Sequence, residues 1–226
     1  MFNNRTYVAI VPARAGSKRL PKKNIKLLNG IPLIQYSIDA ALKSKFIDEV
    51  IVTSDDSRVL EIAKKSRVNS IKRPSSLSQD HSTTESVVNH ALAKIEAFDN
   101  IVLLQPTSPL RNEFHIDEAI ELFDKMKANS VISVCKSNYH PALTQPIDSS
   151  LSMNGFSKPP QKLDINYYSY NGAIYICDAE IFKKTGKFLN KKSFAYIMDR
   201  NSSVDIDEKI DFSLCEAIMQ DSKMSA

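Results

Sequence analysis

The chain reads as an α/β protein with a mostly parallel sheet and helices on both faces. Short apolar runs alternate with stretches whose apolar residues recur at helical spacing. One run is apolar throughout, as a strand covered on both faces must be. The 226 residues, 42% hydrophobic and 25% charged, have ordinary globular composition. A chain of this length buries roughly 70% of its unfolded surface and needs no metal or disulfide staple.

Taken in order, Tyr7–Val11 is a buried strand closed by Pro12, and Ile34, Ile38, Ala41 and Leu42 then fall on one helix face. Val50–Val52 is the second strand, followed by Val59, Ile62 and Ala63 at helical spacing. A weak strand near Val68–Ile71 precedes a polar loop from Arg73 to His81. Ser82 and Glu85 fit a capping box for a helix that buries Val87, Ala91, Leu92 and Ile95. Ile101–Leu104 is the wholly apolar strand. Ile116, Ala119, Ile120, Phe123 and Met126 form the clearest amphipathic helix, and Ser130–Cys135 is another strand. From about 140 to 170, Pro141, Pro146, Pro159 and Pro160 break the pattern, and the segment reads as an insertion of short strands and loops. Ala173–Ile176 returns to the sheet, and Ile210, Leu214, Ala217 and Ile218 mark the buried face of a final helix. Such alternation predicts parallel strands. Ligands of such sheets bind beyond the carboxyl ends of the strands, which directs attention to the loops after Val11, Val52, Leu104 and Cys135.

The net charge of +4 is mild and argues against a nucleic-acid surface, but leaves room for a pocket that takes small anions. Cys135, Cys177 and Cys215 form no CxxC pair and read as buried thiols of a reducing compartment. Polar residues break every apolar run well before membrane-spanning length, and the first residues lack the apolar core of a signal peptide, so a cytoplasmic protein with no membrane partner is expected. His81, His90, His115 and His140 have no ligand spacing.

The first of these loops, Pro12 to Asn24, places Arg14, Lys18, Arg19, Lys22 and Lys23 at the carboxyl end of the first strand. It is neither a Walker loop nor a dinucleotide motif. Gly16 is one of only five glycines and would let a ligand approach the backbone, while Arg14 and the lysines neutralise phosphate charge. Gln105, Thr107 and Ser108 follow a buried strand, where a sugar or nucleotide would lie, and Pro106 and Pro109 stiffen that loop. Asp205 and Asp207 are two residues apart. In extended chain their carboxylates face one side and suit a single hard cation; alternatively Asp207 caps the final helix and Asp205 is a surface residue.

The run Ala13-Arg14-Ala15-Gly16-Ser17-Lys18-Arg19-Leu20-Pro21-Lys22-Lys23-Asn24 resembles the signature loop of CMP-N-acetylneuraminate synthetases, the acylneuraminate cytidylyltransferases. The similarity continues in order through Arg73-Pro74 with Leu77 and Asp80, Leu104 to Arg111, Asn171 to Ile176, and Asp205-Ile206-Asp207. It implies a Rossmann-like nucleotidyltransferase domain over 1–226, with the segment at about 140–170 serving dimerisation and acceptor binding. It implies a reaction in which CMP passes from CTP to the anomeric hydroxyl of a nine-carbon 2-keto sugar acid, N-acetylneuraminate first. The same reaction on legionaminate, pseudaminate or a Kdo-type acid is the alternative, and a non-catalytic nucleotide-sugar binding protein is the alternative from a different class.

By the same resemblance Arg14, Lys23 and Asp207 are catalytic, and Asp205 and Asp207 hold magnesium, with manganese able to take its place. Ala13, Gly16, Ser17, Lys18, Asn24, Arg73, Asp80 and Thr84 serve the nucleotide side of the substrate site. Gln105, Thr107, Ser108, Gln161 and Tyr175 complete it, Tyr175 lining the acceptor pocket. Relatives commonly carry an Arg-Gln pair before the Asn171 strand to hold the sugar carboxylate. Here Gln161 survives but the arginine position is Pro160, which leaves Lys158 or Lys162 as substitutes. A homodimer is the implied assembly.

Overall fold

The computed structural model describes residues 1–144, 146–153 and 165–224. The chain runs β1 (Tyr7–Ala13), a small hairpin of β2 (Leu27–Leu28) and β3 (Ile31–Pro32), α1 (Leu33–Lys43), β4 (Glu49–Ser54), α2 (Ser57–Lys65) and β5 (Asn69–Lys72). It continues through α3 (Thr84–Leu92), β6 (Asn100–Leu104), α4 (Glu113–Lys125), β7 (Ser130–Lys136), β8 (Tyr168–Asp178), α5 (Ala179–Thr185), β9 (Ser193–Met198) and α6 (Lys209–Met224). The main sheet has seven strands in the order β5-β4-β1-β6-β8-β7-β9. Its β5-β4-β1-β6 half is parallel, β8 runs antiparallel to both β6 and β7, and β9 is parallel to β7.

The two-residue period of β1 explains the layering. Tyr7, Ala9 and Val11 pack with Ile34 and Ile38 of α1, Val59 of α2 and Ile116 and Phe123 of α4. Val8 and Ile10 face the other way, toward Val88 and Ala91 of α3 and Phe182 of α5. Because both faces are covered, the central strands carry no polar alternation. The helix ends are fixed locally. The Asp56 side chain accepts from the Arg58 N–H to cap α2, and Asn112 and His115 form a reciprocal capping box at α4. No helix among the described residues is long and apolar enough to cross a membrane.

Several sequence expectations need correction. The cap of α3 is Thr83, whose hydroxyl accepts from Ser86; the Ser82 hydroxyl instead accepts from Gln79 and donates to the Ser76 carbonyl, closing the preceding turn. The final helix turns the other way: Phe212 and Cys215 are buried with Ile206, Leu20 and Leu28, while Ile210, Leu214 and Ala217 face outward. Both registers satisfy a 3.6-residue period, and only the position of the Leu20 cluster decides between them. Leu42 and Met126, at the ends of their helices, are exposed. Burial pushes the Cys177 and Cys215 thiols up to about 12, but Cys135 is only half-buried. The segments α5 and β9 have no counterpart in the apolar pattern, since α5 is a helix of only 7 residues and β9 is a sheet edge.

β8 begins at Tyr168, not Ala173. Its pairing with β7 is interrupted, Ile132 standing opposite Tyr175 but Val134 opposite Tyr170. The extra β8 residues bulge around Asn171 and Gly172. Ser133 secures the bulge, donating from its hydroxyl to Asn171 Oδ1 at 2.6 Å and accepting from the Ile174 N–H at 2.8 Å. Gly172 has φ of +75°, so a side chain there would be strained. Polar groups in this stretch hide it from a search for apolar runs.

Candidate active site

The parallel half of the sheet delivers the loops after β1, β5 and β6 to one edge. There they enclose a cavity of about 400 Å³ with residue 207, from the far end of the chain. The loop after β1 is braced from within. Asn24, nearly buried, donates from Nδ2 to the Arg14 carbonyl at 2.9 Å, and the Ala15 N–H donates to Asp55 Oδ1 at 2.9 Å. Lys22 occupies the left-handed region at φ of 58° and turns the chain so that Lys23 points inward.

The cations of this loop are paired on two sides. On one side Arg14 Nη1 meets Asp80 Oδ1 at 2.9 Å, with Lys18 on the other oxygen of the same carboxylate. The Lys18 ammonium, then the Arg14 guanidinium, hold the Asp80 carboxyl below its usual range. On the opposite side Lys23 Nζ donates to the Ile206 carbonyl at 2.5 Å and to Asp207 Oδ1 at 3.1 Å, with Arg19 Nη1 3.3 Å from Asp207 Oδ2. The helix-cap alternative for Asp207 therefore fails. Its carboxylate faces the cleft, and it is Asp211 that accepts from the Asp207 and Glu208 N–H groups.

At the floor, Arg73 is 4% exposed and donates from Nε to Ser78 Oγ at 3.0 Å, with Nη2 3.7 Å from Asp55. Burial lowers its guanidinium from the usual value, and the neighbouring Asp55 works against that shift. Asp205 stands at the bulge of β8: a Cβ added at Gly172 would lie 3.7 Å from both Asp205 Oδ2 and Gln105 Oε1. Crowding by surrounding protein raises the Asp205 carboxyl, the Thr107 hydroxyl opposes that shift, and the charge of Asp207 adds to it. Asp207 lines the cationic cleft, whereas Asp205 is exposed beside the β8 bulge and is not among the cleft's lining residues. Hard carboxylate oxygens two residues apart still suit a divalent cation that keeps water and phosphate oxygens as its other ligands. No group of three or more His, Cys, Asp or Glu side chains gathers for a metal among the described residues.

A second cavity of about 310 Å³ adjoins the first, since Thr84 and Gln105 line both. Its other walls are Glu85, Leu103, Ile132, Tyr170, Tyr175, Phe188 and Leu189. Burial raises the Tyr175 phenol, with the charge of Asp205 adding to the shift.

The structure gathers Arg14, Ser17, Lys18, Lys23, Asn24, Arg73, Asp80, Thr84, Gln105, Thr107 and Asp207 around the first cavity, and Tyr175 at the second. It does not place every expected residue there. Ala13 is the buried last residue of β1, and Ser108 is buried behind its loop, its hydroxyl without a partner among the described residues, so neither side chain lines the site. A Cβ at Gly16 would meet open space, so protein packing does not require that glycine. Gln161, Lys158, Pro160 and Lys162 lie outside the described residues. Sequence reasoning missed Arg19 as a partner of Asp207, although it stands in the basic loop. It also missed Glu85, Phe188 and Leu189 of the second cavity. Phe188 and Leu189 lie between α5 and β9, where no periodic pattern points to them.

The family model described as Cytidylyltransferase matches residues 8–210. The chain is 38% identical over 217 residues to a protein of Escherichia coli named N-acylneuraminate cytidylyltransferase, covering 94% of this chain but 52% of that protein. It thus spans about half the length of that relative and of its Streptococcus agalactiae counterparts. A Legionella pneumophila protein named CMP-N,N'-diacetyllegionaminic acid synthase is 35% identical and is covered nearly end to end, 94% of this chain against 96% of that protein. A solved CMP:2-keto-3-deoxy-manno-octonic acid synthetase complexed with CTP superposes with a TM-score of 0.76 over 96% of this chain and 99% of that one; at 17% identity the likeness is one of fold.

Proposed function

The chain belongs to the cytidylyltransferase family, and from that premise we propose that it transfers CMP from CTP to the anomeric hydroxyl of a nonulosonic acid, N-acetylneuraminate first, releasing pyrophosphate. One observation carries the reading: a cationic cavity at the ligand edge of the sheet opens, through Thr84 and Gln105, into an aromatic cavity sized for a second small molecule. Phosphoryl transfer asks mainly for positioning and charge neutralisation. Arg14 and Lys18 hold the triphosphate once it displaces Asp80, and Arg73, Asn24 and Thr84 fix the nucleoside end. Tyr170, Tyr175 and Gln105 hold the acceptor so that its anomeric oxygen forms the new bond to the α-phosphorus as the bond to pyrophosphate breaks. Lys23, its side chain 11% exposed between the Ile206 carbonyl and Asp207, offsets charge that develops during this exchange.

Asp205 and Asp207 would hold magnesium, or manganese in its place, and such an ion supplies polarisation of the α-phosphate. The dimer reading is supported by Tyr139, Leu143, Ile147, Leu151, Met153, Ile165 and Tyr168, all exposed large apolar or aromatic residues within 139–168. An interface there would bury such side chains. A cytoplasmic setting agrees with three free thiols.

The test is pyrophosphate release with CTP, magnesium and N-acetylneuraminate, legionaminate, pseudaminate or Kdo. A ten-fold higher kcat/KM for another acid, about 1.4 kcal/mol of discrimination, would replace N-acetylneuraminate as the acceptor. Nucleotide-sugar binding with no turnover would favour a non-catalytic binding protein. Legionaminate is the specific second reading, because its synthase matches this chain over nearly the full length of both.

A further inference from the structure

Arg111 heads the fully buried side chains by volume and is 2% exposed. Burial brings its guanidinium down to about 9, with no acidic neighbour among the described residues set against the shift. Nη2 donates to Ser37 Oγ at 2.6 Å and reaches the Gln105 carbonyl at 3.5 Å, while the Ser37 hydroxyl donates to the same carbonyl at 3.2 Å. Nε and Nη1 have no hydrogen-bond partner among the described residues. A leucine or methionine would fill this volume without burying an unpaired charge, so packing does not explain the arginine. Buried polar groups left partly unsatisfied are uncommon and concentrate where a site needs them.

What Arg111 holds is the backbone of the residue where the two cavities meet. Gln105 lines both, and two residues on, the Thr107 carbonyl accepts from the Ile206 N–H at 2.8 Å, between Asp205 and Asp207. We propose that Arg111 is a positioning residue for the transfer reaction: from beneath the 105–111 loop, its guanidinium and Ser37 fix the Gln105 carbonyl and so set the register of donor, acceptor and the Asp205–Asp207 segment. This rests on the reading of the two cavities as donor and acceptor subsites. An arginine suits the task because its rigid planar guanidinium fixes the directions of the Nη2 protons, so that one terminal nitrogen reaches the hydroxyl and the carbonyl together. Misplacement of a reacting group by about 1 Å costs on the order of a hundredfold in rate, so a loop clamp acts on turnover more than on affinity.

The experiment compares wild type, Arg111→Lys, Arg111→Met and Ser37→Ala by circular dichroism, CTP titration calorimetry and steady-state pyrophosphate release. In folded Arg111→Met, kcat should fall about tenfold to a hundredfold while the Kd for CTP stays within about threefold. Arg111→Lys should recover part of that loss, and Ser37→Ala should show a smaller fall in kcat. Should Arg111→Met fail to fold, the lysine and Ser37 variants decide. A lowered melting temperature with kcat within twofold of wild type in both would make Arg111 a purely structural residue and overturn the inference. Absence of wild-type turnover with every acid would sink the transfer reading itself, and this inference with it.

Discussion

The two cavities are built on opposite terms. The larger is lined by charged side chains that are already paired: Arg14 and Lys18 with Asp80, Arg19 and Lys23 with Asp207. Among the described residues the smaller has one carboxylate, Glu85, beside Leu103, Ile132, Tyr170, Tyr175, Phe188 and Leu189. The first assembles on loops leaving the carboxyl ends of parallel strands, so its geometry follows from the sheet. The second shares Thr84 and Gln105 with the first and adds Glu85 of α3, Leu103 of β6 and Ile132 of β7, but its aromatic walls come from β8, on either side of the bulge, and from the segment between α5 and β9. On the proposed reading, the charge chemistry of nucleotide transfer falls to the regular part of the fold and shape discrimination to the irregular part.

The sharpest way to break this contrast is Asp207→Ala. If Asp207 serves transition-state charge, kcat should fall about a hundredfold or more, with CTP binding still measurable because Arg19 and Lys23 are left free for phosphate. Near-normal turnover, measured by pyrophosphate release, would remove Asp207 from the machinery. A smaller effect should separate the two cavities. Tyr170 is 62% exposed and lines only the second, so Tyr170→Ala should raise the acceptor KM by about tenfold, near 1.4 kcal/mol, and leave the KM for CTP within about twofold. Equal rises in both would merge the cavities into one site.

The scaffold under the cationic cavity is open to a stability test. Asp56 caps α2 immediately after Asp55, the residue that ties the Ala15 N–H and Arg73. Asp56→Ala should lower unfolding stability by about 1 kcal/mol in denaturant titrations at pH 7. The hydrogen bond from Arg58 holds this carboxyl below its usual range, so the folded state binds the proton less readily than the unfolded one. Its contribution is complete above the unfolded value, about 3.9, and disappears as pH falls through the lower folded value. The gap between wild type and variant should therefore close in acid. A gap that widened there would mean Asp56 is not held by Arg58.

The same division explains what could be read from the sequence. Strands β1, β4 and β6 and helix α4 are legible because parallel strands buried on both faces are continuous apolar runs, and their helices carry one apolar stripe, whereas the exposed edge strand β5 is only weakly marked. The cations Arg14, Lys18, Arg19, Lys22 and Lys23 follow from charge density after a strand and Asp207 from its spacing to Asp205, whereas Asn24, Arg73 and Thr84 come from the family resemblance alone. Other features depend on tertiary neighbours. The Leu20–Leu28–Ile206 cluster, not periodicity, decides that Phe212 and Cys215 face inward on α6. The polar run Ser169-Tyr170-Asn171-Gly172 becomes strand only because Ser133 holds its bulge. Phe188 and Leu189 reach the second cavity through a turn that follows Gly186 at φ of +65°. None of these leaves a periodic trace, and most lie around the second cavity.

The mildest prediction concerns the anion that already occupies the cationic cavity. Asp80 comes from the loop before α3 and bridges Arg14 and Lys18, the two cations proposed for the triphosphate. A phosphate chain carrying several charges must take these partners from a single carboxylate. Asp80 is half-exposed, so solvent screens both of its ion pairs and neither is strong. Asp80→Asn keeps the side-chain shape and removes the competing charge, so the KM for CTP should fall by about twofold to fivefold. The effect should shrink in high salt, which screens the same pairs. A rise in the KM for CTP would give the opposite lesson: the carboxylate would then be pre-orienting Arg14 for phosphate rather than competing with it, and the charges of the larger cavity would be as finely shaped as the walls of the smaller one.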